Sequence, residues 1–496
     1  MKMKNLLFHL ILFAAFCAGA AAAELPDATA EKLPRWRGFN LLEKFYAKGA
    51  TPFREENFQL ISELGFNFVR LPLDYHCWSR SGDWSQINDD ELKDIDQAIA
   101  FGKKYGIHVC LNFHRAPGYC VNPPDEPKSL WTDDDALAVC AMHWAHFAAR
   151  YKGVPNRNLS FDLLNEPPDV KPEIYEHVVR ALVGAIRRED PNRLVIADGR
   201  AWGNKPCPEL APLHIAQATR GYAPMQISHY KANWVHGESF PIPSWPIMRA
   251  VSPLFGPEKK QWNIATVIEG ALPAGTLRLR VHEVSNHAKF IVRGDGEKIW
   301  ERDFTPGKND PDCKSLDKNK SWPMGTYDRD YTVPLQGGLK ILELQITDGD
   351  WLDLAELGIA SPNQGERTFV FTHEFGKTNG VIRFAGFDAK PAFVTTDIFD
   401  ASRLRREMIE PWQQLEKQNV GIIVGEWGCF NKTPHDVALR WMEDCLKNWQ
   451  QAAWGWCVWN FTGAFGPLDS NRGDVNYEDF HGHKLDRKMM ELLQKY

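Results

Sequence analysis

Short apolar runs recur along the chain, and each is followed by a stretch whose apolar positions repeat at three- and four-residue spacing. RWRGFNL (35–41) precedes a helical pattern from Phe53 to Gly65, and FNFVRLP (66–72) precedes one from Asp89 to Tyr105. IHVCLNFH (107–114), LSFDLLNEP (159–167) and RLVIADGR (193–200) continue the series, with helices expected at Asp133–Tyr151, Ile174–Glu189 and near Leu210. APMQISHY (223–230) reads as a sixth strand, VGIIVGEWG (420–428) and AAWGWCVWNF (452–461) as the last two. Runs of this kind are expected of strands buried on both faces, and their alternation with helices predicts a parallel sheet closed into a (β/α)8 barrel.

The pattern changes between the sixth and seventh runs. TLRLRVHEV, KFIVRG, KIWERDF, DYTVPL, KILELQI and FVFTHEF alternate with period two and are separated by Gly, Pro and Asp turns. That predicts an inserted β-sandwich over residues 250–385, with the barrel at 33–240 and 395–496 and its delayed sixth helix at 401–418. The N-terminus, residues 1–23, has two lysines, an apolar stretch and a run of alanines, the layout of a cleaved signal peptide. The expected location is therefore secreted or periplasmic, with no membrane span in the mature chain.

Composition narrows the function. A formal charge of −6 disfavours nucleic acid as a partner, and 19 Trp favours ligands with flat apolar faces, such as sugars. Of ten cysteines, all but Cys17 lie beyond the leader; they are scattered without CxxC pairs, which excludes a structural zinc site and a disulfide framework. One bridge among Cys77, Cys120 and Cys140 stays open. Neither a phosphate loop nor a GxSxG elbow is present, and the HxH pair His481/His483 sits in a polar loop, so no cofactor or metal is expected.

In such a barrel the working residues stand at the C-terminal ends of strands. That rule collects Arg70, His114, Asn165, Glu166, His229, Tyr230, Glu426, Trp427 and Trp459. Singly, each has a plain structural role open to it: a cap for Glu166, an Arg70 partner for Glu426, core packing for the histidines and tryptophans. Together at one rim, two glutamates suit hydrolysis of a glycosidic bond, one as proton donor and one as nucleophile.

LSFDLLNEP followed by GIIVGEWG, with RLP after strand two and NFHRAPG after strand three, resembles glycoside hydrolase family 5, the cellulase-like clan of barrel glycosidases. The resemblance spans about 33–230 and 395–496. It implies Glu166 as acid/base and Glu426 as nucleophile, Asn165 on the sugar 2-hydroxyl, and Arg70 beside the nucleophile. It further implies substrate contacts from His114, His229 and the platform Trp459. The family pattern spaces a strand-six His and Tyr by one residue, whereas His229 and Tyr230 are adjacent. A retaining mechanism on β-linked glucan or mannan oligo- or polysaccharide is implied, with carboxyl groups about 5–5.5 Å apart. The alternative is a barrel that binds carbohydrate without turning it over. Sugar, linkage, endo or exo action and oligomeric state are not legible.

Overall fold

The computed structural model describes residues 24–80, 82–307 and 309–496; the expected signal peptide lies outside them. Eight parallel strands close on themselves: β1 (Arg37–Asn40), β2 (Phe68–Asp74), β3 (His108–Ala116), β4 (Leu159–Asp162), β5 (Val195–Asp198), β6 (Ala216–Gly221), β7 (Ile422–Trp427) and β8 (Gly455–Val458). Each pairs with its neighbours in chain order, and β8 returns to β1. Every residue of β2, β3, β4, β5 and β7 is buried, as expected of a parallel sheet covered on both faces.

The helices form where the sequence supplies both a stripe and its ends. In α4 (Pro172–Glu189), Tyr175, Val178, Val179, Leu182, Val183 and Ile186 make the buried stripe. Pro172 opens it, Glu173 lies in the first turn and Arg187 and Arg188 in the last, matching the helix dipole. The Asp133 carboxylate caps α3 (Asp134–Arg150) by accepting from Ala136 N at 2.9 Å, an interaction worth about 1 kcal/mol. Helices α1 (Glu55–Glu63), α2 (Lys93–Tyr105), α5 (Glu410–Glu416), α6 (His435–Ala452) and α7 (Arg487–Lys495) complete the set, and only short helical turns follow β5.

Ser160, a polar residue inside β4, has a local reason. His108 is fully buried, and burial lowers its pKa to about 3, so its ring is neutral. Its Nδ1 donates to the Arg157 carbonyl at 2.9 Å, leaving Nε2 to accept from the Ser160 hydroxyl at 2.7 Å.

The sixth strand differs from expectation. It is AQATRG, not APMQISHY; residues Met225–Ser228 form one helical turn, and His229 and Tyr230 follow it. Pro224 lacks the N–H that a central strand must donate. The polar side chains of β6 are satisfied instead: Gln217 bonds both ways with the Cys207 backbone, and Thr219 Oγ1 donates to Gly203 O.

The chain divides into two compact units. One runs to Pro243 and resumes at Arg405; the other is Ser244–Leu404. The second is mostly β-strand, and its ten-stranded sheet is organised by two long antiparallel strands, Gly275–Gly294 and Ile341–Ser361. TLRLRVHEV and KFIVRG are thus one strand. Register shifts at Val281/Glu283 and Ser285/Ala288 let it bend without ending. Leu277, Leu279, Val281, Phe290, Leu344, Leu354 and Leu357 lie in this unit's core.

All nine described cysteines are free, so Cys77, Cys120 and Cys140 form no bridge.

Candidate active site

Arg70, within β2, and residues at or just beyond the C-terminal ends of β4, β5, β6 and β7 meet in one buried network centred on two guanidinium groups. Arg70, 1% exposed, donates from Nη1 to Glu426 Oε1 at 2.6 Å, from Nε to Asp162 Oδ2 at 2.8 Å and from Nη2 to Asn165 Oδ1 at 2.9 Å. Arg220, at the end of β6, donates from Nε to Glu166 Oε1 at 3.1 Å and from Nη2 to Glu426 Oε1 at 3.3 Å and Asn165 Oδ1 at 2.9 Å. Both oxygens of the buried Asp198 hold Arg220 in turn, Oδ1 at 3.0 Å. Glu166 and Glu426, more than 250 positions apart in sequence, therefore share one cation.

Four carboxyl groups (Asp162, Asp198, Glu166 and Glu426) face two guanidinium groups. Full ionisation would leave an uncompensated negative excess in a desolvated site, which is costly. Burial, and then the charge of Glu426, pushes the Glu166 carboxyl well above the usual carboxylate range. Burial and Asp198 likewise raise Asp162. Glu166, with a side chain 19% exposed, is the most accessible of the four carboxyl groups.

The Glu166 backbone is strained and is held by its neighbours. Glu166 has φ +49°, the left-handed region, at a cost of about 1–2 kcal/mol for a residue with a Cβ. Two side chains hold that conformation: Asp198 Oδ2 accepts from Glu166 N at 2.8 Å, and Tyr119 OH donates to Glu166 O at 2.5 Å.

Glu426 presents two different oxygens. Oε1 is held by both arginines, whereas Oε2 accepts only a 3.3 Å bond from Tyr222 OH among the described contacts. Oε2 is thus the less encumbered of the two oxygens. Burial, then the charges of Glu426 and Glu166, raises the Tyr222 phenol far above its ordinary value, so it remains a donor.

Two further donors are unspent. The Asn165 carboxamide oxygen accepts from both arginines, while its buried Nδ2 has no partner. Asn122 Nδ2 donates to His114 Nε2 at 3.0 Å, which leaves a proton on Nδ1, also unpartnered. Burial, then Arg70, holds His114 neutral, its pKa well below the usual histidine range. The Trp459 ring is half-buried and packs at 5.7 Å from His114 and 5.4 Å from Phe45.

Three expected site residues stand elsewhere. Trp427 is fully buried, with Trp449 at 4.7 Å, Trp456 at 5.6 Å and Trp441 at 6.3 Å, so its ring is core and offers no face to a sugar. His229 bonds Ser228 Oγ through Nδ1 at 2.8 Å and packs edge-on against Tyr222 at 4.9 Å, supporting that ring. Tyr230 lies beneath the Lys231 ammonium, and the tyrosine that contacts Glu426 is Tyr222. Arg220, Asp198 and Tyr222 are the residues that the sequence reading missed. Asp198 obeys the same strand-end rule that found Glu166. Arg220 and Tyr222 were hidden by the misplaced sixth strand, and with β6 correctly placed they recover the one-residue spacing, as Arg-Gly-Tyr.

His481 and His483 pair with Glu63 and Asp469, at 3.1 and 2.6 Å. No group of three or more His, Cys, Asp or Glu suited to a metal ion occurs among the described residues.

A closed (β/α)8 barrel with a glutamate just after β4 and another at the end of β7 is the architecture of a barrel glycosidase. The family resemblance holds: residues 27–227 match the model of the cellulase family, glycosyl hydrolase family 5. A stretch of 184 residues, 36% of the chain, is 27% identical to Endoglucanase C of Acetivibrio thermocellus and spans 53% of that protein. Another of 130 residues, 25% of the chain, is 32% identical to the sporulation-specific glucan 1,3-beta-glucosidase of Saccharomyces cerevisiae, over 29% of its length. The chain thus spans about half the length of the first of these relatives, and less of the second. Among solved structures, one described as a glycoside hydrolase is 27% identical with a TM-score of 0.61, covering 93% of this chain and 99% of its own. Thermotoga maritima Cel5A in complex with mannotriose shares the fold at 16% identity and a TM-score of 0.52, covering 92% of this chain and 97% of its own.

Proposed function

We propose that this protein is a secreted, retaining β-glycoside hydrolase acting on β-linked glucan, mannan or related oligosaccharides. The observation that carries the reading is the pairing of Glu166 and Glu426 on Arg220, with the proton favoured on Glu166 and two guanidinium groups on Glu426.

In the first step Glu426 Oε2 bonds to the anomeric carbon as the glycosidic C–O bond breaks. The departing oxygen keeps the electrons of that bond and takes a proton from Glu166, which is left as a carboxylate. In the second, water attacks the same carbon and gives a proton to Glu166. The ester C–O bond breaks and its electrons return to Glu426. Asn165 Nδ2 suits the 2-hydroxyl, a contact that strengthens in the transition state. His114 and Trp459 suit the edge and face of the same sugar.

The curated relatives are named for glucans, an endoglucanase and a glucan 1,3-β-glucosidase, which supports a β-glucan first and mannan as the second class to assay. The test is product analysis on a panel of β-1,4- and β-1,3-glucans, mannans and their short oligomers, with native protein and Glu426→Gln. The reading expects sugar release that Glu426→Gln abolishes. Binding without release by the native protein would leave a carbohydrate-binding barrel instead.

A further inference from the structure

Arg220 occupies an unusual position for a buried cation, since it touches both glutamates while answering to a third carboxylate. Nε reaches Glu166 Oε1 and Nη2 reaches Glu426 Oε1, and Asp198 grips the guanidinium from behind with both oxygens. The fork cannot swing without breaking those Asp198 bonds, so it is fixed relative to both glutamates. The alkyl stem is packed as closely: a Cβ on Gly203 would lie 2.6 Å from Arg220 Cγ. The two glutamates also depend on it unequally. Glu426 has Arg70 at 2.6 Å as well, whereas among the described residues Arg220 is the one cation paired with Glu166.

We propose that Arg220 is a shared counter-charge that compensates whichever glutamate is ionised, and that it is needed chiefly in the second half of the reaction, when Glu166 must become the base. The inference rests on the retaining reading above. In the resting site the negative charge is on Glu426 and the proton on Glu166. Once Glu426 Oε2 is bonded to the sugar, Glu426 is a neutral ester and the leaving group has carried off the Glu166 proton. The charge has moved from one carboxylate to the other, and Arg220 already has an N–H on each. It need not move, which is the condition for electrostatic stabilisation without reorganisation. Loss of the Glu426 charge removes the nearest repulsion on an ionised Glu166; burial still opposes that charge, and Arg220 is the attraction that answers it. The other groups facing this pair are Asp198, Asp162, Arg70 and the Tyr119 and Tyr222 phenols. Asp198 opposes an ionised Glu166, and Arg70 is spent on Asp162 and Glu426.

Arg220 is thus a positioning residue, and its test must separate the two half-reactions. The native protein, Arg220→Lys and Arg220→Gln are mixed with the dinitrophenyl β-glycoside (glucoside, cellobioside or mannoside) that the native protein turns over fastest. Rapid-mixing kinetics give the burst for glycosylation and the steady rate for deglycosylation. Because Arg220→Gln leaves Asp198 buried without its cation, Arg220→Gln/Asp198→Asn is measured beside it. Removing one preorganised donor costs ~100–1,000-fold; we expect a loss of that size in deglycosylation, at least tenfold more than in the burst, with a fall in apparent KM as the glycosyl-enzyme accumulates. Azide attacks as an anion and needs no base, so it should restore turnover and release a glycosyl azide. Arg220→Lys should lie between native and Arg220→Gln. The proposal is overturned if both half-reactions slow equally, or if azide restores nothing while the variants fold. Absence of any turnover or burst in the native protein would instead overturn the hydrolase reading.

Discussion

Replacing Tyr222 with Phe removes one oxygen and keeps the ring that His229 supports. Glu426 Oε1 is pinned by two arginines, but Oε2 is steadied by the Tyr222 hydroxyl alone among the described contacts, at 3.3 Å. A hydrogen bond to a charged group contributes ~1.5–3 kcal/mol, and this one, longer than the usual O–H···O range, belongs at the low end. A loss of ~1.5 kcal/mol corresponds to ~tenfold in rate. We expect it in kcat and kcat/KM together, because the freed carboxylate turns away from the line of attack without weakening sugar binding. The assay is steady-state hydrolysis of an aryl β-glycoside, with a thermal melt of each variant to establish folding. Tyr230→Phe is the paired control, since Tyr230 stands beneath Lys231 rather than at the nucleophile. A larger loss in Tyr230→Phe than in Tyr222→Phe would refute the assignment.

The raised Glu166 carboxyl links stability to pH. Its proton is held more tightly folded than unfolded, so native stability is full below the ordinary carboxylate range and falls as pH rises through the raised value. Glu166→Gln removes one of four carboxyl groups facing two guanidinium groups. We expect the variant to melt above the native protein at alkaline pH, with the advantage shrinking on acidification; a pH-independent difference would contradict this. Activity of the native protein should fall over the same alkaline range as the general acid loses its proton. The two tryptophans should separate cleanly. Trp427→Ala is expected to cost ~3–5 kcal/mol in denaturant melts, because the indole is fully buried among three others. Trp459→Ala should leave the melt nearly unchanged and raise KM by up to ~tenfold, as expected for a lost stacking face.

Seven of the eight strands were legible because each carries enough buried apolar residues to stand out despite polar positions such as Asn112 and Ser160. Strand β6 was not, since Gln217, Thr219 and Arg220 find partners that only the folded barrel supplies. The neighbouring Met225 and Ile227 mimicked a strand, although Pro224 was a visible warning. That displacement put His229 and Tyr230 where Arg220 and Tyr222 stand. Glu166, Glu426, Arg70 and Asn165 were found because a polar residue ending an apolar strand is conspicuous. Trp427 satisfied the same rule of position but points to the aromatic core, and successive residues of one strand face opposite ways. Side-chain direction at a strand's last residue was beyond what spacing could decide.

The central claim is that Glu426 forms a covalent glycosyl-enzyme while Glu166 supplies and recovers the proton. The most direct measurement is trapping with a 2-deoxy-2-fluoro β-glycoside carrying a good leaving group, followed by intact mass and peptide mapping. The account predicts one added sugar on the peptide containing Glu426, and a first product of retained anomeric configuration by proton NMR. An adduct on any other residue, or a product of inverted configuration, would contradict it.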